Sequence, residues 1–349
     1  MFVGIWFDSQ IALLSSFVVL SSGLFILWDG DISPAQAGLV LMYSSNFVNY
    51  LGWFMTHSTH TEQELVSLER ILEFSRKPTE AVWEIPETAP SEEWPQNGQV
   101  TMEDYKARYR EGLDLVLKGV TCHIKSGEKI GIVGRTGAGK SSLVMALFRM
   151  MEATTGHIAV DNYIISSLGI HDLRRKLTIL PQDPVIFGGS LRMNIDPQAE
   201  KSNSELLEVL KQAHLQKFVE NLPEKLDHHC GESGKNLSVG QRQLVCLARC
   251  LLRKTKVLVL DEATASVDIE TDDLIQKTIC REFKDCTVLT IAHRLNTVLE
   301  YDRILVMDNG MVKEFDTPTN LLADKESSFY TMARDSNLVK TFSGHKLKQ

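Results

Sequence analysis

The sequence predicts an α/β fold preceded by a transmembrane α-helical hairpin. Three observations predict it. A short β-branched run, Lys129 to Val133, leads through Gly134-Arg135-Thr136-Gly137-Ala138-Gly139-Lys140-Ser141 into Ser142 to Phe148, which has helical spacing. The uninterrupted apolar run Val257 to Leu260 ends in two adjacent acids, Asp261 and Glu262. Two stretches near the start, Ile11 to Trp28 and Ile32 to Met55, carry no charge.

Each uncharged run is near the length that crosses a hydrocarbon core of about 30 Å. A charge at mid-membrane costs on the order of 3 kcal/mol, so its absence from both runs is informative. Spans are therefore placed at about residues 11–28 and 34–55, with Asp29-Gly30-Asp31 as the polar turn between them. A signal peptide is the alternative for the first run, but no Lys or Arg precedes it and no small-residue cleavage pattern follows. A buried helix is the alternative for the second, whose Ser, Asn and Gln would equally suit a span facing a bundle interior or a substrate path. The first Lys or Arg in the chain is Arg70, followed by Arg76 and Lys77, which places the end of the second span in the cytoplasm. Leu65, Leu68, Ile71 and Leu72 form one apolar helical stripe over 61–74, as in a membrane helix continuing into the cytosol. Pro78, Pro86, Pro90 and Pro95 then interrupt a stretch rich in Glu and Thr, the composition of a linker over 77–99.

Strand, glycine loop and helix together are the context that a phosphate-binding loop requires. Glycines let successive N–H groups face a phosphate, and the helix N-terminus adds partial positive charge. Lys140 is placed to reach the β- and γ-phosphates of a nucleotide and Ser141 to bind Mg²⁺. The run 257–260 fits a buried parallel strand that delivers Asp261 and Glu262 to its carboxyl end, where ligands sit in open α/β sheets. There Asp261 would hold Mg²⁺ and Glu262 would polarise the attacking water. Asp308-Asn309-Gly310 between two short apolar runs is a hairpin signal, and 320–323 and 328–333 suggest short closing helices.

Leu237-Ser238-Val239-Gly240-Gln241 stands between the glycine loop and the two acids, and His293 follows a second apolar strand. In that order the motifs resemble the nucleotide-binding domain of an ABC transporter over about residues 100–338. The runs Gln241 to Arg249 and Asp261 to Asp268 are similar, more narrowly, to the second such domain of the multidrug-resistance-associated (C-type) exporters. The resemblance implies a P-loop NTPase fold of ABC type, with a mixed sheet core, a small antiparallel β-subdomain and a helical subdomain. It implies ATP and Mg²⁺ as cofactors, and ATP hydrolysis coupled to export of organic anions, conjugates or drugs.

The same resemblance assigns roles by position. Gly134, Thr136, Gly137, Ala138, Gly139, Lys140, Ser141 and Ser142 would bind the nucleotide phosphates, with Ser141, Gln182 and Asp261 on Mg²⁺. Gln182 would also contact the attacking water and relay nucleotide state to the membrane domain. Glu262 and His293 would act in hydrolysis, His293 on the γ-phosphate. Tyr109 matches the aromatic that stacks on adenine, although nearby Tyr105 leaves open which ring packs into the β-subdomain. Ser238 and Gly240 would cap ATP held by a partner domain, and Asp268 would cross that interface. Val239 replaces the usual glycine; a β-branched residue takes a positive φ at a cost and adds bulk beside the phosphate.

The implied organisation is a C-terminal part of a transmembrane domain over 1–76, the linker over 77–99, the nucleotide-binding domain over 100–338 and a tail over 339–349. Two spans and one nucleotide-binding domain cannot form a complete exporter, so a fragment of a longer chain is expected. Its partners would be the membrane, a second nucleotide-binding domain in the same full-length chain, the remaining transmembrane helices and a small-molecule substrate. An integral protein of the plasma membrane with a cytoplasmic nucleotide-binding domain is the corresponding location. A C-type regulator or channel-like relative, in which ATP gates rather than pumps, is the alternative. A soluble ABC ATPase is opposed by the two uncharged runs. The net charge of -8 gives no support for nucleic-acid binding. The six cysteines form no Cys-x-x-Cys pair and fit reduced cytosolic residues.

Overall fold

The structure is a computed structural model and describes residues 2–261, 268–292 and 294–336. The chain divides into two compact units, Met1–Glu80 and Ala81–Gln349.

The first unit is a helical hairpin of α1 (Phe2–Trp28) and α2 (Pro34–Ser75). Ser33 starts α2 with a reciprocal capping box, its hydroxyl accepting from Gln36 N–H while Gln36 Oε1 accepts from Ser33 N–H at 3.0 Å, and Pro34 takes the first helical position. The helices run antiparallel, with the Ser22 and Ser44 hydroxyls 2.9 Å apart. Among the described residues, one stretch, Ser9–Trp28 with mean hydropathy 2.2, is long and apolar enough to cross a membrane. The second expected span is helical, but its Ser, Asn and Tyr residues keep it from that class.

In the second unit the chain packs from Ala81 onward, ahead of the expected domain start at 100. Trp94 is 3% exposed and its indole donates to Val160 O at 3.2 Å, and His171 N–H donates to Trp83 O. The stretch turns through a short 3-10 helix at Pro86–Thr88, and buried Trp94 and the bonds of the Val82 and Trp83 carbonyls to Ile170 and His171 seat it on the domain, so the expected linker is an arm laid on the domain from Ala81 onward.

The elements that follow are β1 (Val100–Ala107), β2 (Leu117–Ile124), β3 (Lys129–Gly134), α3 (Lys140–Leu147), β4 (Ala153–Val160), β5 (Tyr163–Ile164), α4 (Ile170–Lys176) and β6 (Leu177–Leu180). A helical region comes next, with β7 (Gly189–Ser190), α5 (Leu191–Ile195), α6 (Asn203–Gln212), α7 (Gln216–Glu220), β8 (His229–Cys230) and α8 (Val239–Arg253). The chain then forms β9 (Val257–Asp261), α9 (Ile269–Glu282), β10 (Thr287–Ile291), α10 (Leu295–Val298), β11 (Arg303–Asp308), β12 (Met311–Asp316), α11 (Pro318–Ala323) and α12 (Ser328–Asp335).

Six strands form one sheet in the order β12-β11-β3-β10-β9-β6, parallel throughout except for the β11–β12 hairpin at one edge. A separate antiparallel sheet has the order β2-β1-β4-β5. This is the mixed core with an antiparallel β-subdomain and a helical region that the family resemblance implies. The apolar run of β9 is explained by burial on both faces. Val257 and Val259 enter the core shared with the antiparallel sheet, whereas Leu258 and Leu260 enter the core of the helical region.

Candidate nucleotide site

Parallel pairing brings the carboxyl ends of β3, β10, β9 and β6 to one edge of the sheet. The glycine loop leaves β3 there, Asp261 ends β9, and Gln182 stands two residues beyond β6. With strands about 4.8 Å apart, β9 lies about 10 Å from β3, close enough for one bound group to touch both. Glu262 and His293 lie outside the described residues. Their chain neighbours are fixed, since Asp261 pairs in register with Ile291 and Ala292 N–H donates to Ile132 O at 3.1 Å.

The loop is shaped for a phosphate. Gly139 sits at φ 100°, a left-handed conformation that a side chain would make costly, and it starts α3 without any side-chain cap. The first-turn N–H groups of α3 therefore keep the uncapped end that binds anions. Nothing lies within 4 Å of the position a Cβ would take on Gly137, so the mouth of the loop is open. Lys140 is 7% exposed and its ammonium donates to Gly134 O at 2.8 Å and Arg135 O at 3.1 Å, which holds positive charge across the loop. Ser141 is exposed and Ser142 buried. These features fit a polyphosphate. Ser141, Asp261 and Gln182 supply only oxygen ligands, the donor set that suits a hard cation such as Mg²⁺.

The two tyrosines are sorted by where β1 ends, at Ala107. Tyr105 is 3% exposed, its hydroxyl donates to Met151 O at 3.0 Å, and burial pushes its pKa up to about 12. Tyr109 lies just past the strand, is 52% exposed, and its hydroxyl is 2.8 Å from Ser142 Oγ. Of the two rings it is Tyr109 that stands free beside the phosphate-loop helix.

Ser238 caps α8 with another reciprocal box, accepting from Gln241 N–H at 3.1 Å while Gln241 Oε1 accepts from Ser238 N–H at 2.9 Å. Val239 is the first residue of α8 and its φ is not positive, so its β-branch carries no backbone strain. That corrects the expectation from sequence; what remains of the substitution is added bulk, 37% exposed. A Cβ on Gly240 would lie 3.3 Å from Thr271 Oγ1 and 3.5 Å from Asp268 Oδ1. Asp268 caps α9, and hydrogen bonds from the Thr271 N–H and hydroxyl hold its carboxyl below the usual range.

Two contacts around the site carry no signal in the sequence. Gly310, in the β11–β12 turn, donates its N–H to Ala138 O at 3.0 Å and so backs the phosphate loop. Arg294, next to His293, pairs with Asp272 of α9 at 3.1 Å. Both join residues far apart in sequence, and the Asn309-Gly310 turn signal gave no hint of its partner.

Fold and site together define an ATP-binding cassette domain. Residues 117–265 match the family model described as ABC transporter. The chain is 49% identical over 335 residues to mouse ATP-binding cassette sub-family C member 3, covering 96% of this chain and 22% of that protein. It is 48% identical to Multidrug resistance protein mrp-7 of Caenorhabditis elegans and 47% identical to rat sub-family C member 2, each over 95% of this chain and 22% of the relative. Among solved structures it is similar to a bacterial Atm1-family ABC exporter with ATP bound, at TM-score 0.72 and 27% identity, over 96% of this chain and 58% of that one. The chain thus carries an ABC transporter domain whose relatives belong to the C subfamily, and it spans about a fifth of their length.

Proposed function

We propose that this chain is the ATP-hydrolysing part of an ABC exporter that couples hydrolysis to transmembrane movement of organic anions, conjugates or drugs. The observation that carries the reading is the convergence of Lys140, Asp261 and Gln182 at one sheet edge, in a chain similar over 96% of its length to a C-subfamily transporter. In this reading the loop from Gly134 to Ser142 binds the phosphates of ATP and Tyr109 stacks on adenine. Ser141, Asp261 and Gln182 hold Mg²⁺, which when bound supplies charge neutralisation at the β- and γ-phosphates. Glu262 takes the proton of the attacking water, and His293 contacts the γ-phosphate. Ser238 and Gly240 complete a second site with ATP held by another nucleotide-binding domain, and Asp268 crosses between the two. The domain is cytoplasmic, and the assembled transporter sits in the plasma membrane.

The test is ATP-dependent uptake of a labelled glutathione or glucuronide conjugate into inside-out vesicles holding the assembled transporter. Concentrative uptake that Glu262→Gln abolishes is the expected result. ATP-dependent flux that only dissipates a gradient would replace pumping by gating.

A further inference from the structure

The loop that carries Gln182 is gripped at both ends by one helix. Gln243 of α8 is fully buried and its Nε2 donates to Pro181 O at 3.0 Å, while its Oε1 is buried with no hydrogen-bond partner. Two turns on, Arg249 donates to Val185 O at 2.7 Å and to Asn194 Oδ1 at 2.9 Å. Asn194, also fully buried, ties Phe187 through both its backbone groups, accepting from Phe187 N–H at 2.8 Å and donating to Phe187 O at 2.9 Å. Further down the helix, Cys250 contacts Ile179 O at 3.7 Å and Arg253 reaches Leu177 O at 3.5 Å. So α8 runs antiparallel to β6 with side-chain rungs all along it, and Gln243 is the last rung before the loop.

The lengths leave little play. Residues 243 and 249 are about 9 Å apart along a helix rising 1.5 Å per residue. The chain from Pro181 to Val185 spans at most about 14 Å when extended. A loop of that length held at both ends follows its anchors. Keeping Gln243 Oε1 buried and unpaired has a cost that an apolar residue of the same volume would avoid, which marks the amide for what its donor does.

We infer that Gln243 and Arg249 are positioning residues that fasten the Gln182 loop to the helix begun by Ser238, so that the two move as one body. This rests on the reading of Gln182 as a Mg²⁺ and water contact and of Ser238 as a contact to ATP of the partner domain. Under it, Gln182 of one nucleotide site and Ser238 of the other shift together, and the coupling is a set of hydrogen bonds within this chain.

The experiment compares wild type, Gln243→Leu, Arg249→Lys and Gln182→Ala as full chains in detergent. Gln243→Leu keeps the volume and removes the unpaired oxygen, and Arg249→Lys keeps the charge and loses the fork, so both should fold. Hydrogen exchange is followed at the amides of 182–188, with β3 and β9 as internal controls, and ATP affinity is measured with Mg²⁺ and with EDTA. The expected result is exchange faster by about tenfold confined to 182–188, and ATP binding weakened by about tenfold with Mg²⁺ but less than about twofold in EDTA. Unchanged exchange in both clamp variants overturns the inference, as does acceleration that spreads equally into β3 and β9. Local loosening without loss of Mg²⁺-dependent binding overturns it if Gln182→Ala does weaken that binding. If Gln182→Ala has no effect either, the role of Gln182 falls and local loosening still establishes the clamp.

Discussion

Arg294 donates to the Asp272 carboxylate at 3.1 Å, joining the residue that follows His293 to the helix that Asp268 begins. Asp272 is 7% exposed and its other oxygen is buried without a partner, so the arginine is its main compensation. Removing the arginine strands a buried carboxylate, whereas neutralising the acid removes the charge that needed pairing. Arg294→Ala should therefore lower stability by about 2 kcal/mol and Asp272→Asn by clearly less. Thermal unfolding of the full chain in detergent checks this; equal losses would show that the pair acts only as packing.

On the proposed reading, binding and chemistry rest on different residues. Lys140→Ala removes the charge that spans the loop and should abolish detectable ATP binding. Glu262→Gln should leave binding intact and lower turnover of the assembled transporter by about 10²- to 10⁴-fold, the contribution of a general base. Filter binding and phosphate release distinguish the two, and retained turnover in Glu262→Gln would remove that residue from the mechanism.

Tyr105 and Tyr109 should fail in different ways. On the proposed stacking role, Tyr109→Ala should leave the fold unchanged and weaken ATP binding by about tenfold, with Tyr109→Phe close to wild type, because a base stacked on an aromatic ring gains about 1–3 kcal/mol. Tyr105→Ala empties a buried site and should cost about 3–5 kcal/mol of stability. Parallel titration and melting curves test the assignment, and loss of affinity in Tyr109→Phe would point to the hydroxyl near Ser142 instead of the ring.

The end of the domain has an acid-sensitive fastening. Glu314 of β12 accepts from Ser328 N–H at 2.5 Å, from the Ser327 hydroxyl at 2.8 Å and from Phe329 N–H at 3.2 Å, thereby capping α12. Burial works against its ionisation, but these donors outweigh it and hold the carboxyl below its ordinary value of 4.5. A depressed carboxylate contributes stability that is present above the unfolded pKa and is lost as pH falls through the folded one. Stability should thus decline below about pH 4.5, and Glu314→Gln should be less stable than wild type at pH 7 by about 1 kcal/mol, with the gap closing in acid. A gap independent of pH would rule out the cap.

What could be read from the chain alone was whatever is local. The glycine loop announces itself because strand, turn and helix are consecutive, and β9 because burial on both faces leaves an unbroken apolar run. Tyr105 and Tyr109 could not be told apart, since four residues apart they would share one face of a strand, and the difference is that the strand ends at Ala107. Val239 seemed strained only under the assumption of a left-handed backbone, and the capping box of Ser238 and Gln241 makes the position helical instead. The clamps are less legible still. Gln243 and Pro181 are 62 positions apart, and Arg294 and Asp272 are 22 apart, so nothing in either neighbourhood announces the other. The arm from Ala81 looked like a linker because proline and glutamate are frequent in it, while what anchors it, buried Trp94 and the carbonyls of Val82 and Trp83, depends on partners more than 60 positions away.

The 42 residues of α2 form one unbroken rod, about 63 Å long at 1.5 Å per residue. A body of that length is a lever. A tilt of only about 5° at Pro34 carries Ser75 sideways by about 5 Å, a displacement larger than the spacing between neighbouring strands. Ile11 of α1 still lies 3.8 Å from the position a Cβ would take on Gly52, so the stretch beyond that contact is the part of the rod that would magnify a small rotation at the far end. In mechanical terms the hairpin trades angle for travel, and an interior glycine pair that softened the rod near His60 would forfeit the gain without altering either end.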